Sequence, residues 1–423
     1  VPVAVRSGEG HSYIGQSNVN DGIVLSLQRL RDFSVDDVGD YIAKLGGGLD
    51  LLEAYTLMAL HKPPLGFAGG FSPSTGIGGY FSGGGHGMMG SKYGIGADRL
   101  VAADVVVYDK TQKAFKVVKA TPTNEYADLL FAIRGGMGGN YGVVVNFYYK
   151  AFVAGTVLFS SGGTNNYDVD NYVGHMKDYV DFMQAATTPK EFSAALILGY
   201  SSLQALSYYF SLCLCYPRDC SDCVKNTLGI PGASMEEIEK AMTKCRNIEK
   251  QIILQWVQMQ YYYPQLLSTD NLKTMVSRVL GKTCATKGCY QYVLPYTHNM
   301  LKEPTDCCTS PGEKCTSFDH RKQGFSIEHG IFLFPGEDPS KIAYPWLADM
   351  SVAVQPFSTD TKYQNYLEST MTRQKWIPRY FPHNGTYQRL QAVKCEYNAI
   401  DMFDFKRISN FTIKLEDCAA ESR

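Results

Sequence analysis

At 423 residues the chain is longer than one ordinary hydrophobic core serves, and two domains are expected. Hydrophobic residues make up 45% and charged ones 19%, a globular composition that excludes long disordered tracts. A formal net charge of −1 gives no electrostatic basis for nucleic acid or an anionic membrane as partner, and no apolar run approaches the roughly 20 residues that span a bilayer.

The chain starts at Val1, without a charged-then-apolar leader, so any signal peptide is expected to be gone already. Val1 to Arg6 reads as a strand with nothing before it, which predicts a natural protein longer at its N-terminus. Up to about residue 150 the sequence is glycine-rich and cysteine-free. Gly22 to Leu27, Leu100 to Tyr108 and Tyr141 to Phe152 read as strands, with helical patches at Asp50 to Leu60 and Glu125 to Arg134. This alternation predicts an α+β or α/β domain.

Beyond Phe152 the character changes. Asp168 to Ala185 has the spacing of an amphipathic helix, and Phe192 to Tyr200 and Leu203 to Leu214 read as neighbouring strands. Ser234-x-x-Glu237 has the form of a capping box opening a long helix. Tyr261 to Tyr263 read as a packed helix face in preference to a sugar-stacking groove. From about Trp376 a basic, aromatic tail is expected to return to the first domain, giving a division at 1–155, 156–374 and 375–423.

Ten of the twelve cysteines fall between Cys213 and Cys315, with Cys395 and Cys418 near the end. Their even number and clustering predict disulfides, hence an oxidising compartment. Zinc at Cys220-x-x-Cys223 is the alternative, but a second pair at metal-site spacing is missing, and no metal is expected. Sequons at Asn384 and Asn410 fit a secreted protein or one of the secretory-pathway lumen.

Chemistry concentrates in three segments. In Gly66 to Gly90, eleven of 25 residues are glycine. Glycine brings backbone N–H groups close to a ligand, and a run of such donors suits a pyrophosphate. Ile77, Phe81 and Met88 punctuate the run as anchors, against a flexible linker. It is neither a Walker loop nor a clean Gly-x-Gly-x-x-Gly. A second cluster, Arg134-Gly-Gly-Met-Gly-Gly-Asn-Tyr-Gly142, joins a helix to a strand. The third, Arg6-Ser-Gly-Glu-Gly-His-Ser-Tyr13, ends the first strand, and taken alone His11 reads as a hydrogen-bonded structural histidine.

In order and spacing these segments resemble the FAD-linked oxidases of the berberine-bridge-enzyme-like group, in the vanillyl-alcohol oxidase superfamily, which includes carbohydrate oxidases. Lys92-Tyr-Gly-Ile-Gly-Ala-Asp98, Tyr380-Phe-Pro-His-Asn-Gly-Thr-Tyr-Gln-Arg-Leu390 and Val393-Lys-Cys-Glu-Tyr-Asn-Ala-Ile-Asp-Met-Phe403 resemble further motifs of the group. The likeness is specific over 1–155 and 375–405. It implies a two-domain α+β fold of the PCMH type, with a substrate domain built on an antiparallel sheet flanked by helices.

The resemblance implies FAD bonded to His11 and held by Arg6, Ser7, Gly8 and Gly10. It adds Ser72, Thr75, Gly76, Gly78, Gly79, Tyr80, Ser82, Gly83, Gly84 and Gly85 from the long glycine segment. Asp98, Gly138, Gly139, Asn140, Val143 and Asn384 complete the implied set. A neutral imidazole is a competent nucleophile toward the flavin methyl carbon. Tyr380 matches the tyrosine that serves as base in several relatives; its other reading is aromatic packing at the domain seam.

Departures are equally informative. Glu9 is inserted in the first motif. Ser72 stands where many relatives carry a flavin-linking cysteine, so a single covalent link is expected. Tyr80 replaces a histidine, and Thr75 has the shape of the valine that admits oxygen in some relatives. The acid and His-Arg pair that others use are absent from Ser340 to Trp346, with Trp346-Leu347 in place of the pair. His86 reads as structural. A glycan on Asn384 conflicts with a closed site, so Asn410 is expected to be modified first.

The expected function is a secreted covalent-FAD oxidase acting on an alcohol or hemiacetal, of a carbohydrate or other small molecule, with O2 reduced to H2O2. Oxidative cyclisation of an alkaloid-type molecule is a variant. An extracellular glycoprotein that keeps the fold without catalysis is the alternative. The resemblance further implies that an N-terminal fragment completes the FAD domain.

Overall fold

The computed structural model describes residues 1–8, 11–12, 15–155, 157–165, 168–201, 204–214, 255–264, 267–305, 313–333, 336–368, 371–383 and 385–397. Glu9, Gly10, Asn384, Asn410, the helix read from Ser234, and Cys215, Cys220, Cys223, Cys245, Cys307, Cys308 and Cys418 lie outside them.

The first unit is an α+β body. Strand β1 (Val3–Arg6) pairs in parallel with β2 (Ile23–Ser26). Next come β3 (Phe33–Asp36), β4 (Ile42–Gly46), helix α1 (Leu51–Ala59), β5 (Leu65–Gly66), and the short helices α2 (Ile77–Ser82) and α3 (Gly90–Tyr93). Strands β6 (Leu100–Asp109) and β7 (Ala114–Ala120), helix α4 (Ala127–Ile133), β8 (Val143–Lys150) and β9 (Phe152–Val153) follow. A five-stranded antiparallel sheet runs β3-β4-β8-β6-β7. Helix α1 starts where it does because Asp50 and Glu53 cap each other: the Glu53 N–H donates to the Asp50 carboxylate at 2.9 Å, and the Asp50 N–H to Glu53 at 3.1 Å.

The second unit is built on a six-stranded antiparallel sheet. Its strands are β10 (Val157–Asn165), β11 (Phe192–Ser201), β12 (Gln204–Leu214), β13 (Gln255–Tyr263), β14 (Cys289–Pro295) and β15 (Phe325–Leu333), in the order β10-β12-β11-β14-β15-β13. Helices α5 (Val169–Gln184), α6 (Thr269–Val279) and α8 (Ala343–Val354) cover one face, and the short α7 (Lys282–Lys287) precedes β14. Side chains alternate along each strand. On β15, Phe325, Ile327, Ile331 and Leu333 join the helix-side core. Ser326 and Glu328 therefore point the other way, toward the first unit.

Tyr261 to Tyr263 form the end of β13, a correction to the helix reading: three aromatics in a row suit an extended ribbon buried on both faces. Tyr261 and Tyr263 pack in the helix-side core and Tyr262 in the core shared with the first unit. Their packing role stands.

The tail folds back. Helices α9 (Arg373–Tyr380) and α10 (Thr386–Tyr397) contribute Trp376, Tyr380, Phe381, Tyr387, Leu390 and Val393 to the core shared with the five-stranded sheet. Burying an aromatic of this size contributes on the order of 1.5–3 kcal/mol. A disulfide joins Cys284 to Cys289, and Cys315 and Cys395 are also disulfide-bonded. Among the described residues no cluster of His, Cys, Asp or Glu could hold a metal, and no helix is long and apolar enough to cross a membrane.

Candidate active site

The first motif is stitched onto the glycine segment. The Ser7 hydroxyl donates to the Gly47 carbonyl at 2.6 Å and accepts the Gly78 N–H at 3.0 Å. Gly8 has φ +57°, and a Cβ there would lie 2.7 Å from the Gly76 Cα. Only glycine suits that close left-handed approach. Arg6 bonds Asn18, so its guanidinium has a protein partner. His11 is half-buried, with Nδ1 3.5 Å from the Ser72 hydroxyl. The two positions of the implied flavin linkage therefore meet across 61 residues of sequence.

Main-chain pairing fixes the glycine segment. The Leu51 N–H donates to the Thr75 carbonyl at 2.9 Å and the Ile77 N–H to the Leu49 carbonyl at 3.0 Å. At Gly79 an added Cβ would meet nothing within 4 Å, so this backbone faces open space. Gly83, Gly84 and Gly85 turn their α-carbons to Asn365, Phe318 and Tyr80. Tyr80 is buried and its hydroxyl donates to the Ala68 carbonyl at 2.8 Å.

The third loop closes against the second. The Met137 N–H donates to the Ser82 carbonyl at 3.0 Å, and a Cβ on Gly138 would lie 3.0 Å from the Ser82 Cβ. Gly139 has φ +77°. The Asn140 amide donates to the Met137 carbonyl at 3.0 Å, and its oxygen accepts from buried Lys394 at 3.5 Å. Val143 packs with Val3 and Leu27, tying the loop to β1. Gly138 and Gly139 are partly exposed and Gly79 faces open space, so these glycines leave backbone accessible to a ligand.

Asp98 sits at the seam between the two units. Its carboxylate accepts two bonds from Arg321, at 2.5 and 3.0 Å, and one from the Ile95 N–H at 2.9 Å. Ion pairing to the second unit makes it a strut of the domain seam. Tyr380 is fully buried against Trp376, and its hydroxyl donates to the Tyr366 carbonyl at 2.9 Å. Burial holds that phenol well above its usual range.

A polar cluster that sequence reading missed lies in the seam. Glu328 is opposite Tyr292 on β14 and Gln260 on β13, and it is hydrogen-bonded to Tyr366. Desolvation pushes its carboxyl up to about 7, against the lowering effect of Tyr366. The Tyr366 hydroxyl lies 3.3 Å from His86 Nε2, and His86 Nδ1 lies 2.8 Å from the Tyr296 hydroxyl. Burial lowers His86 to about 3, so the ring is neutral. Tyr292 meets Phe71 edge-on at 6.1 Å, and Phe71 adjoins Ser72 in sequence. His11, Ser72, Phe71, Tyr292 and Glu328 thus form one line from the first motif to the sheet. The only signal in sequence was one carboxylate at an outward-alternating position of an apolar strand.

Residues 1–113 match the FAD binding domain family. The chain is 25% identical over 422 residues to glucooligosaccharide oxidase of Sarocladium strictum, covering 95% of this chain and 81% of that protein. It is 36% identical over 148 residues to berberine bridge enzyme-like 21 of Arabidopsis thaliana, covering 34% of this chain and 26% of that one. The structure of berberine bridge enzyme from Eschscholzia californica superposes with a TM-score of 0.78 at 19% identity, covering 95% and 84%. That of chitooligosaccharide oxidase gives 0.77 at 20%, covering 98% and 86%. The chain is similar in sequence to these oxidases and has the berberine bridge enzyme fold.

Proposed function

We propose that the protein is a secreted oxidase with FAD bonded to His11 by a single link, oxidising an alcohol or hemiacetal carbon of a carbohydrate and passing electrons to O2 to give H2O2. The observation that carries this reading is the line from His11 and Ser72 to Glu328. In this reading a tether position of the cofactor at His11 and a buried carboxyl at Glu328 are joined by successive neighbours Ser72, Phe71 and Tyr292. The residues of the first motif and the two glycine loops would hold FAD, which would supply a two-electron acceptor for the substrate hydride and a donor to oxygen. The carbohydrate assignment is supported by the two oligosaccharide oxidases among the similar proteins.

In this reading Glu328 takes the substrate hydroxyl proton. A carboxyl group titrating near neutrality is suited to general-base work. Tyr380, the base implied by resemblance, is disfavoured because its hydroxyl is committed to a backbone carbonyl. Tyr366 orients Glu328, and Phe71 and Tyr292 supply an apolar wall for a sugar ring. Partly buried Thr75, whose N–H donates to the Ser72 carbonyl at 3.2 Å, is the residue that would admit oxygen in this reading. The disulfides favour an oxidising compartment.

Intact mass spectrometry after denaturation tests the link, with the flavin adduct expected on the peptide bearing His11. Peroxide release on a panel of oligosaccharides and other alcohols tests the reaction. Protein that gains no flavin mass and yields no peroxide supports instead the non-catalytic glycoprotein reading, which Tyr80 at the group's histidine position favours.

A further inference from the structure

Phenol and imidazole groups have limited donors, and this fixes the direction of the chain Tyr262–Tyr296–His86–Tyr366–Glu328. The Tyr366 hydroxyl has one proton. If that proton goes to the Glu328 carboxylate, the contact with His86 at 3.3 Å requires Nε2–H as donor to the Tyr366 oxygen. A neutral ring protonated at Nε2 has Nδ1 as acceptor, so the Tyr296 hydroxyl donates there at 2.8 Å. Tyr296 then accepts from Tyr262 at 2.9 Å. All of these except Tyr366 are buried, and the His86 ring is clamped by stacking on Tyr363 with centroids 4.2 Å apart.

We propose that His86 is a positioning residue: through its Nε2–H it aims the Tyr366 hydroxyl at Glu328 and so sets the pH at which Glu328 becomes a carboxylate. This rests on Glu328 being the base of the proposed reaction. His86 touches neither substrate nor cofactor in this role; it acts through Tyr366. The groups facing Glu328 are Tyr292 on β14, Gln260 on β13, and Tyr363 and Tyr366 on the 358–366 connection. Those facing His86 are Tyr296, Tyr363 and Tyr366. The neighbouring cations are engaged elsewhere: Lys362 pairs with Glu368 at 2.8 Å, and Arg321 with Asp98.

Three variants of the flavin-loaded protein test it: His86→Phe, His86→Gln and Tyr366→Phe. Two readouts apply: the acidic limb of the kcat/KM profile, and the titration midpoint of the Glu328 carboxyl in the resting protein by isotope-edited infrared spectroscopy. His86→Phe is expected to move both up by about one unit, because the carboxylate loses an oriented donor. His86→Gln, whose amide supplies both a donor and an acceptor, is expected to restore most of the shift. Tyr366→Phe should reproduce it, and adding His86→Phe to Tyr366→Phe should change nothing further. Retained flavin absorbance and thermal midpoint establish that each variant folds. Unmoved midpoints in folded His86→Phe protein, or additive effects of the two substitutions, overturn the proposal. An active Glu328→Gln protein would instead overturn the assignment of the base, separately from the infrared result.

Discussion

The Ser72 hydroxyl lies 3.5 Å from His11 Nδ1, bringing together the positions that carry the two flavin bonds in doubly linked relatives. Because serine is a poor nucleophile, His11→Ala is expected to abolish covalent attachment, leaving denatured protein colourless. Ser72→Cys is expected to leave a fraction of flavin bound even in the His11→Ala background. Visible absorbance of acid-precipitated protein, with peptide mass mapping, checks both.

Glu328 yields a pH prediction with a definite sign. Its folded value, about 7, lies above the ordinary carboxyl value of 4.5, so the folded protein binds this proton more tightly than the unfolded chain. Its contribution to stability is full below about 4.5 and is lost as the pH rises through about 7. Activity runs the opposite way, rising through the same window as the carboxylate forms. Glu328→Gln should lower kcat/KM by about 100- to 10,000-fold and remove that limb. It should also flatten the loss of stability between the two values, seen by denaturant titration at pH 5 and pH 8.

The Asp98–Arg321 pair pins the two units at their seam. Both side chains are almost wholly inaccessible, at 4% and 9% exposure, so removing one partner leaves the other buried without its nearest counter-charge, with Glu303 3.6 Å from Arg321 as a weaker one. Asp98→Asn or Arg321→Met is expected to cost about 3–5 kcal/mol in urea unfolding. The double variant should cost less than the sum of the single ones.

Gly8 and Gly79 separate fold from cofactor grip. Gly8→Ala places a Cβ at φ +57° against the Gly76 backbone and should lower stability by about 1–2 kcal/mol or more. Gly79→Ala meets no protein atom and lies inside α2, so the flavin-free protein should gain about 0.5–1 kcal/mol. Under the proposed function flavin binding should nonetheless weaken, because the methyl group covers backbone left open to the cofactor. Thermal melts with and without FAD distinguish the two.

Local chemistry made much of the first unit legible. Asp50 announces α1, and the Val- and Tyr-rich runs became β6 and β8. Gly8 approaches Gly76, and Gly78 approaches Ser7, more closely than a larger residue allows. The tyrosine run was misjudged because an aromatic stretch buried on both faces shows no alternation, which leaves strand and helix indistinguishable in sequence. Asp98 belongs to a motif, yet its partner Arg321 lies 223 residues away and was invisible to local reasoning. Glu328 and His86 escaped for a related reason. Neither is unusual beside its sequence neighbours, and each acquires meaning only when β15 is laid over the glycine segment.

The pleat of β15 has an evolutionary consequence. Because Ile327 and Glu328 look opposite ways, a lineage can rewrite the face turned to the first unit without touching the foundation beneath the helices. Substrate preference and thermal robustness are then free to drift on interleaved residues of a single ribbon. Enzymes sharing this scaffold are accordingly expected to diverge in what they oxidise faster than in how they fold.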